Sequence, residues 1–146
     1  MSLPSGRLLL LDTCILVHLV RDDAEGKRLE SRYWLSRRGE RPLISTITEG
    51  EIRGLALGWG WGPQKLQELD RLVGELISLP PATRDIVDAY AMLYHDATRR
   101  GHAAGENDLW IAATARAVGA VLLTVDKDFD WMHPDYVIVE KVTLVR

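Results

Sequence analysis

Carboxylates recur in this sequence at the points where predicted strands end. Asp12 directly follows the apolar run Leu8–Leu11, and Asp126 directly follows the apolar run Val121–Val125, with Asp128 close behind. In parallel α/β sheets, functional groups gather at the carboxyl ends of strands, so these side chains are candidates for a shared site. Each also has a structural explanation, because Asp commonly caps helices and forms turns.

Glu51 shares a predicted helix face with apolar side chains. Ile47 lies four residues before it and Leu55 four residues after it, which places Glu51 on the core-facing stripe of the helix. Burying an unpaired carboxylate is costly, so Glu51 either has a functional partner or reaches solvent from the edge of the stripe. Its neighbour Glu49 points elsewhere and is placed to pair with Arg53.

Asp108 begins the buried stripe of a later helix. Ile111, Ala112 and Ala115 follow it at i+3, i+4 and i+7, the spacing of one helix face. Asp108 or its neighbour Asn107 could instead cap this helix and complement its dipole.

Taken together, the four acidic sites describe a metal site made only of oxygen ligands. Such ligands suit Mg²⁺ or Mn²⁺. Asp128 is an alternative to Asp126 as the fourth acid. The single cysteine, Cys14, excludes an intrachain disulfide and a cysteine metal cage, and the four histidines have no ligand spacing.

The elements that position these acids alternate along the chain. Strands are predicted at Leu8–Leu11, Leu43–Ser45, Leu76–Leu79, Val121–Val125, Val137–Val139 and Val142–Val145. Helices are predicted at Thr13–Leu19, Glu25–Arg38, Ile47–Leu57, Gln64–Glu75, from Pro81 or Ala82 to Arg100, and at Asn107–Val118. This alternation indicates an α/β fold with a mostly parallel sheet.

Composition narrows the class of protein. The chain has 146 residues, of which 47% are apolar and 27% charged, as in one ordinary globular domain covering residues 1–146. The formal net charge of −3 argues against a basic protein that coats nucleic acid. No apolar run is long enough for a membrane span, and the N-terminus lacks the features of a signal peptide. We expect a cytoplasmic protein.

Four segments resemble, in order, the motifs of the PIN-domain ribonucleases, in particular the VapC-type toxins of bacterial toxin–antitoxin pairs. The segments are Leu8–Leu16, Ile44–Gly54, Asn107–Ala115 and Leu123–Phe129. In the second motif the functional Glu precedes an aliphatic residue, which selects Glu51 over Glu49. The family usually has Asn where this chain has Cys14.

The resemblance implies a three-layer sandwich: a mostly parallel, twisted sheet of about five strands with helices on both faces. It also implies metal-dependent cleavage of single-stranded or looped RNA. Asp12 and Asp108 would be the chief metal ligands, and Glu51 and Asp126 would complete the shell or orient the attacking water. The secondary candidates beside these acids are Asp128, Thr124 and Asn107.

Partners follow from the same resemblance. Members of the family are usually homodimers and bind an antitoxin whose tail blocks the acidic pocket, and we expect both here. The candidate RNA contacts are Arg37, Arg38, Arg99, Arg100, Trp59 and Trp61. Each has a structural alternative, because arginines complement helix ends and tryptophans pack turns.

Other classes share parts of this pattern. A dehalogenase-type phosphatase also opens with an apolar strand and Asp, but needs a second Asp where this chain has Cys14. A receiver-type module needs an adjacent Asp pair and a late Lys, of which Lys127 is a weak counterpart. A non-catalytic interaction module on the same scaffold is the remaining alternative.

Overall fold

The computed structural model describes residues 7–102 and 104–144. Five strands form one sheet in which every pairing is parallel, and their spatial order is β3-β2-β1-β4-β5. The strands are β1 (Leu9–Leu11), β2 (Leu43–Ser45), β3 (Ile77–Leu79), β4 (Val121–Thr124) and β5 (Val139–Lys141). The predicted parallel α/β fold is therefore confirmed.

Helices cover both faces of this sheet. They are α1 (Thr13–Arg21), α2 (Ala24–Tyr33), α3 (Thr46–Trp59), α4 (Pro63–Glu75), α5 (Arg84–Arg100) and α6 (Glu106–Val118), followed by a 3-10 helix (Lys127–Met132). Along β1, Leu9 and Leu11 pack with residues of α1 and α2, whereas Leu10 packs with residues of α5 and α6. This alternation produces two cores and three layers. No helix in the described ranges is long and apolar enough to cross a bilayer.

The order of the strands creates a switch point at β1. From β1 the chain builds β2 and then β3 on one side, and β4 and β5 on the other. The register pairs Leu11 with Leu123, so β1 and β4 end at the same edge of the sheet. Ligands of open α/β sheets bind outside the carboxyl ends of strands at such a point.

Two helix ends differ from the prediction. Helix α1 runs to Arg21 and not to Leu19, and it ends where Asp22 adopts the left-handed conformation with φ of 52°. Helix α2 ends at Tyr33 and not at Arg38, because Trp34 adopts φ of 54° and donates its N–H to the carbonyl of Glu30. Non-glycine residues adopt this conformation rarely, so the sequence gives little signal for either end.

Helix α3 also extends two residues beyond the predicted Leu57. Gly58 remains helical, and the stop comes at Gly60, which adopts φ of 69° and donates its N–H to carbonyls of the last turn. Pro63 then occupies the first turn of α4, where its missing N–H costs nothing.

The remaining differences lie at element ends in the second half of the chain. Helix α5 begins after Thr83, whose hydroxyl accepts a hydrogen bond from the N–H of Ile86 at 3.3 Å, and not at Pro81 or Ala82. The last strand is Val139–Lys141, shifted from the predicted Val137–Val139, because the N–H of Val137 donates to the carbonyl of Met132. Residues 142–144 form no strand, and the end of that predicted strand lies outside the described residues.

Candidate active site

Asp12 joins β1 to α1 and has its carboxylate fixed by three donors. Its Oδ1 accepts from the Thr13 N–H at 2.8 Å. Its Oδ2 accepts from the Thr124 hydroxyl at 2.7 Å and from the Cys14 thiol at 3.4 Å. The residue is only 6% exposed. Asp12 is thus both the cap of α1 and a preorganised acid at the switch point.

Thr124 connects the first and last acidic motifs. Its buried hydroxyl donates to Asp12 and accepts from the N–H of Asp126 at 3.0 Å. Asp126 in turn caps the 3-10 helix, and its Oδ1 accepts from the N–H of Asp128 at 2.9 Å. The predicted supporting contact of Thr124 with a site carboxylate is therefore present.

Glu51 is held by one hydroxyl and one amide. Its Oε1 accepts from the Thr13 hydroxyl at 2.8 Å, and its Oε2 accepts from Asn107 Nδ2 at 3.2 Å. Glu49 instead pairs with Arg53, 3.0 Å from its Nε.

The core-facing stripe predicted for Ile47, Glu51 and Leu55 is wrong, because the buried side chains of α3 are Thr48, Ile52 and Ala56, and Leu55 is 40% exposed. Glu51 lies at the edge of that stripe, where it lines the acidic pocket, and Glu49 does not line it.

Asp108 and Asn107 do not cap α6. That helix begins at Glu106, and its N-cap is Gly105, which offers no side chain. The capping explanation for the two residues is therefore wrong. Asn107 contacts Glu51 as described above, and the half-buried Asp108 lines the same pocket as Asp12 and Glu51.

The carboxylates converge on one pocket. Asp108, Asp126 and Asp128 each offer an oxygen within 4.8 Å of the others, so both candidates for the fourth acid reach the same cluster. The adjoining cavity has a volume of about 480 Å³. Its lining consists of Asp12, Thr13, Cys14, Val17, His18, Arg21, Glu51, Leu55, Trp59, Asp108, Val125 and Asp126.

Burial and the neighbouring negative charges make Asp108 and Asp12 hard to ionise. The pKa of Asp108 is raised to about 7, first by burial and then by the negative charges of Asp12, Asp126, Glu51 and Asp128. Burial also raises the pKa of Asp12, although its hydrogen bonds act in the opposite direction. A divalent cation would relieve both penalties. The oxygen-only donor set therefore fits Mg²⁺ or Mn²⁺.

Cys14 acts here as a neutral hydrogen-bond donor. Burial, followed by the charge of Asp12, raises the pKa of its thiol to about 12. The protonated thiol lies 3.4 Å from Asp12 Oδ2 and 3.9 Å from the Thr124 hydroxyl. Cys14 therefore helps to orient Asp12 and is not a reactive thiolate.

Two of the predicted RNA contacts are placed by α2 and the loop after it. The Arg37 guanidinium lies 6.0 Å from the ring centroid of Trp34. Arg38 donates to the carbonyl of Tyr33 at 3.0 Å and also to the carbonyl of Arg7. Within the described chain, neither arginine lines the acidic pocket.

The other two predicted arginines lie at the end of α5. Arg99 pairs with Asp96 at 3.5 Å, and the Arg100 guanidinium lies 5.5 Å from the ring centroid of Tyr136. The described lining of the acidic pocket includes neither of them. Their role as phosphate contacts stays a prediction.

The two tryptophans after α3 differ in position. Trp59 lines the pocket and is 46% exposed, whereas Trp61 packs against the core formed with α1 and α4. Their ring centroids are 5.6 Å apart. The Arg21 guanidinium lies 4.7 Å from the ring centroid of Trp59.

Sequence reasoning missed the pocket residues contributed by the middle and end of α1. Val17, His18 and Arg21 line the pocket together with Cys14, and Leu55 faces them from α3. Helical spacing from Cys14 would have placed Arg21 on the same face. The predicted helix ended too early, at Leu19, for that spacing to be applied.

Comparison with known proteins identifies the family to which this sequence is similar. The sequence matches the PIN domain family model over residues 9–132. The search of curated proteins found no match.

Solved structures share the fold over nearly the whole chain. VapBC2 from Rickettsia felis, bound to a DNA fragment from its promoter, is similar over 92% of this chain and 98% of its own, with a TM-score of 0.76 and 24% identity. VapBC-1 from nontypeable Haemophilus influenzae covers 92% and 97%, with a TM-score of 0.72 and 24% identity. VapBC-5 from Mycobacterium tuberculosis, a member of the VapBC family of toxin–antitoxin systems, covers 95% and 100%, with a TM-score of 0.67 and 24% identity.

Proposed function

The chain belongs to the PIN domain family, and from this membership we propose that it is a divalent-metal-dependent endoribonuclease, the toxin of a toxin–antitoxin pair. The observation that carries the proposal is the convergence of carboxylates from all four motifs on one pocket, with the pKa of Asp108 raised to about 7. A cluster of this kind is unfavourable without a cation and is suited to phosphodiester chemistry with one.

The proposed metal ligands are Asp12, Glu51, Asp108 and Asp126, with Asp128 as an additional oxygen donor. Asp108 is central to this set, because each of the other four acids raises its pKa. A bound Mg²⁺ or Mn²⁺ would supply a Lewis acid that stabilises charge on the scissile phosphate and lowers the pKa of a water.

The protein's own groups would orient the reactants. Thr124 and Cys14 hold the Asp12 carboxylate in one rotamer, so no reorganisation is needed when substrate arrives. Thr13 and Asn107 fix the Glu51 carboxylate, whose position at the pocket is suited to accepting a hydrogen bond from the attacking water.

Single-stranded or looped RNA is the proposed substrate class. Its unstacked nucleotides can be splayed out, so that a phosphate enters a pocket at the edge of the sheet. The formal net charge of −3 fits an enzyme that engages RNA locally at one site, without coating it. A cytoplasmic location is part of this proposal.

An antitoxin protein and a second copy of the chain are the proposed partners. The VapBC names of the structural neighbours support the first, because one of them is described as a member of a toxin–antitoxin family. An arginine from an antitoxin tail could pair with the carboxylates in a bidentate manner and block the site. We expect a dimer at micromolar concentration, and sedimentation that shows only monomer would contradict it.

Mapping of new 5′ ends in total RNA tests the proposal. The purified protein is incubated with Mg²⁺, with Mn²⁺ or with EDTA, and Asp12→Asn and Asp108→Asn are treated identically. We expect new ends only with wild type and metal. Cleavage by either variant at the wild-type rate would reject the ligand assignment. The absence of any metal-dependent end would favour a non-catalytic module on this scaffold.

A further inference from the structure

A groove runs from the acids along two helices that begin at the same edge of the sheet. Helix α1 follows β1, and α3 follows β2, the strand paired with β1. The two helices contact each other, and Leu55 of α3 lines the cavity opposite residues of α1. The groove therefore has acids at one end and the last residues of both helices at the other.

Arg21 and Trp59 form that far end. Each is the last residue of its helix, and the Arg21 guanidinium lies 4.7 Å from the Trp59 ring centroid. Trp59 is eight residues after Glu51 in α3, which corresponds to about 12 Å along the helix axis. A nucleic-acid strand that follows the groove would therefore span a few nucleotides between the acids and Arg21.

Arg21 lacks the ion pair that six other described arginines make. Its guanidinium pairs with none of the described pocket carboxylates within 4.0 Å and contacts the indole ring of Trp59, while its charge also acts on Asp23, which lies outside the pocket lining. A guanidinium stacked on a ring keeps its N–H donors in its own plane, where they can bind a phosphate bidentately. The contact with Trp59 thus holds a cation in place while its donors stay open to a ligand.

We propose that Arg21, positioned by Trp59, binds a backbone phosphate of the RNA strand that leaves the acidic pocket along the groove between α1 and α3. The proposal rests on the proposed function and adds the direction of the strand. A phosphodiester chain is the occupant that the charges favour, because its phosphate pairs with Arg21 while its scissile phosphate lies at the metal ligands. The apolar floor of Val17 and Leu55 between them suits the faces of unstacked bases.

Steady-state cleavage with Mn²⁺ tests the proposal with two oligoribonucleotides. One spans only the acids and is too short to reach Arg21, and the other extends along the groove past Arg21. Arg21→Gln should raise KM for the longer substrate about tenfold, the factor expected when a hydrogen bond to a charged group worth about 1.4 kcal/mol is lost. Its kcat, and both constants for the short substrate, should stay at wild-type values. Arg21→Lys should restore part of the loss, and Trp59→Leu should raise KM by a smaller factor.

The matched control is Arg32→Gln. Arg32 also lies near the end of a helix with its guanidinium over an aromatic ring, 5.3 Å from the centroid of Tyr33, but it lies outside the acidic pocket.

The salt dependence of RNA binding gives a readout that a structural role of Arg21 would not change. Arg21→Gln should lower the slope of log affinity against log salt by about 0.7, the value for one phosphate contact on a single strand.

Binding of the same labelled RNAs in EDTA, measured by fluorescence anisotropy, separates the two proposals. If wild type cleaves no RNA but its binding depends on Arg21 as described, the proposed function fails and the inference stands. If wild type cleaves RNA and Arg21→Gln matches Arg32→Gln in KM, affinity and salt slope, the inference is overturned. A fall in kcat alone for Arg21→Gln would also overturn it.

Discussion

The orientation of the Asp12 carboxylate depends on the uncharged side chain of Thr124. The Thr124 hydroxyl donates to Asp12 at 2.7 Å inside a buried environment, so Thr124→Val should release the carboxylate and reduce cleavage about 10- to 100-fold. Thr114→Val is the matched control, since Thr114 is equally buried and its hydroxyl donates at 2.8 Å to the carbonyl of Trp110. Both variants should lose stability, and only Thr124→Val should lose kcat. Equal kcat values would show that Thr124 is only a packing residue.

The two glutamates of α3 provide a second matched pair. Glu51→Gln should abolish most cleavage, because the replacement removes a charge that Thr13 and Asn107 hold at the pocket. Glu49→Gln should keep nearly all activity, because its loss affects a surface pair with Arg53. Initial rates with Mn²⁺ for both variants make the comparison. The reverse order of effects would mean that Glu49 belongs to the active site.

The raised pKa of Asp108 has a consequence for stability. Folding raises this pKa from about 4 to about 7, so the neutral form stabilises the native state below pH 4, and this contribution is lost as the pH rises to 7. Asp108→Asn mimics the neutral form. In EDTA at pH 8, Asp108→Asn should therefore melt at least about 2 °C higher than wild type, which is equivalent to about 1 kcal/mol. Near pH 4 the two proteins should melt at the same temperature.

Asp85→Asn controls for the removal of an acid from the first turn of a helix. Asp85 is exposed at the start of α5, where its carboxylate complements the helix dipole. The melting temperature of Asp85→Asn should be equal to that of wild type or lower, both at pH 8 and near pH 4. A gain at pH 8 as large as that of Asp108→Asn would assign the effect to general charge repulsion and not to the pocket.

At the scale of elements, the crossing of α1 and α2 depends on Gly26. A Cβ at this position would overlap the backbone carbonyl oxygen of His18 in α1. Gly26→Ala should therefore destabilise the protein by about 1 to 3 kcal/mol, measured by urea unfolding. Gly50→Ala in α3 is the control, because its Cβ meets nothing within 4 Å and a helical Gly→Ala change stabilises by about 0.5 to 1 kcal/mol. Equal effects would show that α1 can move without cost.

The ends of elements mark the limit of what the sequence could predict. Continuous apolar runs and helical periodicity located the five strands and six α-helices of the described residues, with ends up to five residues off, but they also predicted a strand at Val142–Val145 that residues 142–144 do not form. Asp22 and Trp34 end their helices in a conformation that sequence reasoning assigns to glycine, so α1 was predicted too short and α2 too long. The first of these errors hid Arg21 from the candidate site.

At the scale of the whole molecule, the carboxyl-edge rule collected three of the acids, whereas Asp108, which follows no strand, was found from the apolar stripe that it begins on α6. Asp12 and Asp126 follow strands that the structure makes neighbours, and Glu51 lies on the helix after the strand on the other side of β1. The sequence could not show that Asn107 and Thr13 both contact Glu51, because these contacts depend on how α6 and α1 approach α3. Helix crossings are set by packing of the complete cores, which local patterns do not specify.

The central claim is that the converging carboxylates form a divalent-metal site, and a thermal melt tests it most directly. Wild type and Asp108→Asn are melted at pH 8 in EDTA and with Mn²⁺ at a hundredfold excess over its dissociation constant. Metal that binds only the folded state should stabilise wild type by about 2.7 kcal/mol, or about 5 to 10 °C for a domain of this size. Asp108→Asn should start higher and gain much less. Equal metal-induced shifts in the two proteins would contradict the account, because they would place the metal away from Asp108.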